Sequence, residues 1–192
     1  MKKLLLVSAL TMYSLLGYSQ ITTWTNDPAH SRLGFVVKHL TISEIEGRFS
    51  EFNVTVTTLK PDYSDANIDL KANVKSINTD VEMRDNHLRS ADFFDAEKYP
   101  SLTFKSTALV KKSKTKAKLY GELSFHGVTK PVVLDVTFFG SVVNPMNNKK
   151  TVGFQINGVI KRSDFNLGGK FPESIIENNI RIIANVEFSP SN

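Results

Sequence analysis

Between residues 33 and 188 apolar side chains return again and again at every second position, and that period restricts the chain to β-structure. Leu33, Phe35 and Val37 alternate with Arg32, Gly34 and Lys38 around Val36. Phe52, Val54 and Val56 alternate with Asn53, Thr55 and Thr57. Ala66, Ile68, Leu70, Ala72 and Val74 alternate with Asn67, Asp69, Lys71 and Asn73. The pattern recurs at 102–110, 117–125, 132–139, 152–160 and 180–188. Successive side chains on a strand face opposite sides, so each segment carries one apolar face. The count is about eight strands, with turns at Lys60-Pro61-Asp62 and Asn144-Pro145-Met146-Asn147-Asn148. Covering so many one-sided strands takes a sandwich or a closed barrel. Periodicity does not choose between them.

One segment breaks the period. Thr79-Asp80-Val81-Glu82 reads as a capping box opening a helix of about ten residues between strands three and four. Val81, Arg84, Asp85 and Leu88 share a face of it. A short helix there suggests a plug or lid.

Residues 1–19 read as a secretory signal: Lys2 and Lys3, a short apolar stretch, then Gly17 and Ser19 ahead of a cut before Gln20. The expected location is the periplasm or the cell exterior. Residues 20–192 then form one domain of about 170 residues. The chain has no cysteine, which excludes a lipid-anchored lipoprotein, disulfides, thiolate metal sites and thiol catalysis. The formal charge of +5 includes Lys2 and Lys3, so the mature chain is only mildly basic. Neither that balance nor any motif points to nucleic acid.

Four phrases in order resemble the YceI-like family of secreted, lipocalin-like proteins: WTNDPAHSRLGFVVKHL (24–40), INTDVEMRDNHLRSADFFDAEKYPSLTFKS (77–106), GELSFHGVTKPVVLDVTFFG (121–140) and GFQINGVIKRSDFNLG (153–168). The resemblance implies an all-β fold, a closed antiparallel lipocalin-like barrel. It also implies a long apolar pore holding a polyisoprenoid, an isoprenoid quinone or a fatty-acyl amphiphile, with no cofactor. Asn166 departs from the pattern, since many relatives carry a second glycine after RSDF. It should alter the bend there and leave the pore alone.

With strands closed into a barrel, the expected pore residues are Phe35, Val37, Phe52, Val54, Ile68, Leu70, Phe104, Leu123, Phe125, Leu134, Val136, Phe154, Ile156, Ile182 and Val186. His39, on the same face as Phe35 and Val37, is the candidate polar group at the mouth. A chain of roughly thirty carbons at ~0.3 kcal/mol per heavy atom would bind with roughly 9 kcal/mol, in the sub-micromolar range.

The remaining chemistry is thin. His30, His39, His87 and His126 form no HxH or HExxH pair, so no metal site is expected. His126 opens HGVTKP and reads as turn chemistry. Ser163-Asp164 lacks the G-x-S-x-G elbow of a serine hydrolase, and Gly168-Gly169-Lys170 lacks phosphate-loop spacing. Arg84, Asp85, Arg89 and Asp92, with Arg162 and Asp164, are expected to form one polar network closing an end of the barrel or touching a ligand head group. Lys111, Lys112, Lys114, Lys116 and Lys118 read as a solvated hairpin tip, with transient membrane contact as the other reading. The expected function is a carrier, not an enzyme. The rivals are a barrel filled by its own side chains and a hydrolase or isomerase acting on a lipid in the pore.

Overall fold

The computed structural model describes residues 21–191; the expected signal segment lies outside them. Strands β1 (Thr22–Asn26), β2 (Arg32–His39), β3 (Ser43–Phe49), β4 (Phe52–Thr58), β5 (Asn67–Asn73) and β6 (Ile77–Asn78) precede helix α1 (Glu82–Arg89). Strands β7 (Ser101–Lys111), β8 (Lys116–Phe125), β9 (Val128–Val143), β10 (Lys150–Lys161) and β11 (Asn179–Pro190) follow it. The pairing runs β1-β4-β5-β7-β8-β9-β10-β11, and β11 returns to β1. That last pairing closes an eight-stranded antiparallel barrel, the choice that periodicity left open. Closure removes the free sheet edges of a sandwich.

The helix position differs from expectation. It follows β6, not a third strand, because kinks divide the early strands. β11 pairs with β1 through Phe188↔Asn26 and Pro190↔Trp24, and with β2 through Arg181↔Val36 and Asn185↔Arg32. β1 and β2 therefore lie end to end along one neighbour, interrupted at 27–31. Ser50 and Glu51 separate β3 from β4, and a 3-10 turn at Val74–Ser76 separates β5 from β6. The polar stretches TTWTN and SEIEGRF hide β1 and β3 from a search for apolar alternation.

The capping box is also absent. α1 spans eight residues and its N-cap is Val81, which makes no side-chain cap bond. A left-handed turn at Asp80 (φ 61°) comes between Thr79 and the helix. Arg48 holds Asp80 at 3.2 Å. Thr79 is buried instead. Its N–H donates to Asp85 Oδ1 at 2.8 Å and its hydroxyl to the same oxygen, while Arg84 Nε donates to the Thr79 hydroxyl at 2.7 Å. α1 stands beside β6, where Arg89 donates to the Lys75 and Ile77 carbonyls, both at 2.8 Å. The arginine thus meets backbone acceptors of β6 and of the 3-10 turn before it that no neighbouring strand takes up among the described residues.

The barrel packs its inner face densely in places. Trp24, Val54, Phe104, Leu119, Val152, Val186 and Phe188 are all buried, each contributing roughly 1.5–3 kcal/mol by leaving water. Gly121 is needed on β8: a Cβ there would sit 2.4 Å from the Phe104 ring. Elsewhere the interior is hollow.

Candidate ligand pore

Two cavities lie inside the barrel. The wider holds about 360 Å³ and the narrower about 130 Å³. Leu33, Leu70, Phe104, Leu134 and Ile182 line both, so they form a waist between the two spaces. The larger volume is at the low end for a pocket holding a drug-sized ligand.

Strand alternation delivers most of the walls. Of the expected pore residues, Phe35, Val37, His39, Leu123 and Phe125 line the wider cavity. Phe52, Val54, Ile68, Val136, Phe154, Ile156 and Val186 line the narrower one. Leu70, Phe104, Leu134 and Ile182 stand at the waist. His39 ends β2 and lines the wider space, where it bridges to Ile176.

Other wall residues were not legible as strand positions. Phe93 and Phe94, just past α1, and Phe171, Ile175 and Ile176, between β10 and β11, close the wide end. Phe93 stacks on Phe171 with centroids 4.9 Å apart, and His87 meets both rings edge-on. The FF pair beside α1 was the available signal; the loop after β10 offered none. At the narrow end Trp24 and Tyr63 meet edge-on at 5.7 Å, with Lys150 Nζ 5.8 Å from the Trp24 ring and 5.9 Å from the Tyr63 ring. Apart from the Tyr63 hydroxyl and the Trp24 indole nitrogen, the narrow cavity's walls are hydrocarbon.

The expected charged network is not one network. Arg162 is buried and donates only to backbone: to the Leu167 and Gly168 carbonyls at 3.0 and 2.8 Å, and to those of Phe171 and Ile176. It ties the loop that closes the wide end onto the barrel. Asp164 is exposed and forms no ion pair with Arg162 among the described residues. The 3-10 turn Arg162–Phe165 turns its side chain outward while Arg162 points in. Arg84 serves Thr79, and Arg89 serves β6. Asp92 pairs with Lys170 and, at 3.5 Å, with His87. The Lys170 contact comes first in holding the Asp92 carboxyl below its usual range. Of these charged groups, Arg84 and Arg162 reach the wide cavity wall, along with Lys38, His39, His87 and Thr79.

The other candidates fall outside the pore. Ser163 is exposed, and its N–H is held by Asn178 Oδ1 at 3.0 Å. His126 and Gly127 adopt φ 51° and 74° in the two-residue connection between β8 and β9, the left-handed pair such hairpins require. Asn166 takes φ 55°, so it supplies the bend that a glycine would. Gly168 meets the Phe93 ring, leaving 2.6 Å for any Cβ. Asp27, His30 and Glu187 bring ligand-type atoms within 4.8 Å of one another. β11 supplies Glu187, which histidine spacing could not reveal. His30 Nδ1 is engaged by Asp27 at 2.9 Å, and this hydrogen bond raises the His30 pKa and lowers that of Asp27.

Comparison with known proteins agrees with this geometry. Residues 24–188 match the model of the YceI-like domain. A UPF0312 protein of Staphylococcus aureus is 35% identical over 171 residues, covering 89% of this chain and 96% of that protein. The crystal structure of Burkholderia cenocepacia BcnA superposes with a TM-score of 0.76 at 27% identity, over 84% of this chain and 98% of that one. A polyisoprenoid binding domain from Saccharophagus degradans, implicated in plant cell wall breakdown, shares the fold at a TM-score of 0.67 and 17% identity, over 88% and 98% of the two chains.

Proposed function

The chain belongs to the YceI-like family, and from that premise we propose that it carries a long-chain amphiphile, of polyisoprenoid type, in the interior of its barrel. The observation that carries this reading is the pair of apolar cavities inside the barrel, which share five wall residues at the waist. A barrel filled by its own side chains would leave no space of about 360 Å³. The description of the Saccharophagus degradans domain as polyisoprenoid binding supports the same ligand class. An isoprenoid quinone and a fatty-acyl amphiphile meet the same requirement, an apolar tail with one polar end.

The polar groups are distributed to suit such a molecule. The wide cavity has Arg84, His39, His87 and Lys38 at its wall, and the narrow one is almost wholly apolar. A tail threaded through the waist leaves its head among the polar groups of the wide end. No bond-breaking step is assigned, and the protein acts as a carrier or reservoir. It works in the periplasm or outside the cell, as the reading of residues 1–19 implies. Intact mass of exported protein beginning at Gln20 checks that location.

Solvent extraction of the purified protein followed by mass spectrometry tests the function. The expected result is one class of long-chain amphiphile at near-stoichiometric amount. A protein that carries no lipid, and takes up none after stripping and exposure to polyisoprenoids, sinks the proposal.

A further inference from the structure

Three turns meet at the narrow end of the barrel: β4–β5 (59–66), β7–β8 (112–115) and β9–β10 (144–149). Lys111 Nζ reaches Asp62 at 2.6 Å, and Phe138 N–H reaches the Thr115 carbonyl at 2.9 Å. The turns and the strand ends beside them carry Lys60, Lys111, Lys112, Lys114, Lys116, Lys149 and Lys150. Against them stand only two carboxylates among the described residues of the turns, Asp62 and Asp65. Lys111 neutralises Asp62 and is the first cause of its lowered pKa. Asp65 is consumed by the Thr58 hydroxyl and the Leu59 and Lys60 N–H groups.

The same end displays apolar surface that the fold does not need outside. A β-bulge in β9 pairs Gly140 with Gly153 and Phe138 with Phe154, leaving Phe139 as the extra residue. Bulges re-aim side chains, and here Phe139 turns outward, 65% exposed. β8 stops at Lys116, opposite Thr137, so the β9–β10 hairpin projects beyond the rim. Val142 and Val143 are 65% and 61% exposed on it, and Met146 at its tip is 90% exposed. Isolated exposed apolar residues are ordinary, but a protruding set beside a field of one sign marks an interaction surface.

We propose that this end docks on an anionic phospholipid bilayer, the β9–β10 hairpin dipping Phe139, Val142, Val143 and Met146 into the lipid while the lysines of the three turns meet the phosphates. Charge decides the partner. Lysines attract an anionic surface and keep their heads at the phosphates while their stems cover apolar surface. The opposite end, at the mouth of the wide cavity, mixes lysine and arginine with Glu44, Glu46, Asp80, Glu82, Glu173 and Glu177, and offers no such field. Docking does not depend on what the pore holds, so the test uses lipid-stripped protein and stands apart from the carrier reading.

The probe is sedimentation with vesicles of phosphatidylglycerol and phosphatidylcholine, against phosphatidylcholine alone. The protein is expected to sediment with the anionic vesicles only, and to be released by about 0.5 M salt as the charges are screened. Lys112→Glu with Lys114→Glu is expected to lower vesicle affinity by about tenfold or more. Lys130→Glu with Lys161→Glu, at the opposite end, is expected to leave it unchanged. Insertion has its own readout. The single tryptophan of the chain, Trp24, is buried, so a Met146→Trp variant adds one exposed reporter. Its emission should shift to the blue on anionic vesicles and be quenched by brominated acyl chains. All variants lie on exposed surface, and their melting should match the parent. Three results overturn the proposal: equal binding to neutral vesicles, no emission shift in a bound Met146→Trp variant, or a dimer that buries the hairpin and ignores vesicles.

Discussion

The two cavities are walled by different means. Around the narrow one, strand residues at alternate positions do almost all the work, and the walls are fixed by ladder hydrogen bonds. Around the wide one, the walls include α1, the Phe93–Phe94 corner and the loop before β11. Buried Arg162, bonded to backbone carbonyls, and buried Thr79, bonded to Asp85 and the half-buried Arg84, hold those pieces. Sheet walls are rigid and nearly featureless; loop walls bring polarity and the capacity to open. The contrast predicts that the ends fail differently when perturbed.

Removing Arg162 should have the largest effect on stability. Arg162→Leu strands the carbonyls of Leu167, Gly168, Phe171 and Ile176, and is expected to cost about 3 kcal/mol or more. Hydrogen exchange should localise the loss to 166–178 while β4, β5 and β10 stay protected. Uniform deprotection would show that the two ends are not independent. A charge at the waist tests whether the cavities act as one. Leu70→Glu lines both, and its desolvation against a tail is unfavourable. It should abolish co-purifying lipid in folded protein. Phe154→Asp, on the narrow cavity alone, should also exclude a tail that reaches past the waist. Lipid retained by the second variant and lost by the first would restrict the ligand to the wide cavity.

Smaller changes sharpen the comparison. A Cβ at Gly158 would come within 2.3 Å of Leu134 Cδ2. Gly158→Ala should therefore push a waist residue, cost about 1–3 kcal/mol as overpacking, and shorten the tails recovered by mass spectrometry. Thr79→Ala removes the hydroxyl that joins Arg84 to Asp85 and should cost about 1–3 kcal/mol in denaturant melts. Thr79→Ser should recover most of it. The smallest effect belongs to His30 and Asp27 on the outer surface. The raised His30 pKa makes the pair stabilising below the ordinary histidine value of 6.5, and the benefit is lost as pH rises through the higher folded value. The lowered Asp27 pKa keeps it present above 3.8, until pH falls through the lower folded value. His30→Gln should melt slightly below the parent near pH 5 and level with it near pH 9. An equal gap at both would mean packing, not charge.

About half of the narrow cavity's wall is legible in the pattern of residues. Phe52, Val54, Ile68, Val136, Phe154, Ile156 and Val186 were all placed by a rule that looks one strand at a time. That rule works because side-chain direction on a strand is set locally. The expected pore residues leave out Trp24 and Tyr63, which lie in a short polar strand and a turn, and also Leu33, Val56, Ala66, Leu109, Leu119, Val152, Ala184 and Phe188. For the wide cavity the rule reached only strand residues. The charged residues of α1 and the 162–164 turn read as one network in sequence but separate in space, since sequence spacing shows which charges are near along the chain and not which carbonyls lie near them.

The sequence by itself determined the β-class, the faces of the long strands, the turn at His126-Gly127 and the family. Each of these depends on local geometry or on phrases that survive in order. Residue periodicity left closure open and the family resemblance only implied it; the tertiary structure decided it, because pairing β1 with β11 joins residues more than 160 positions apart. It also decided that Thr79 is a buried link rather than a helix cap, that Asp164 faces solvent, and that the barrel keeps a hollow behind its waist. A cavity is what side chains from many strands fail to fill together, and no single strand contains that information.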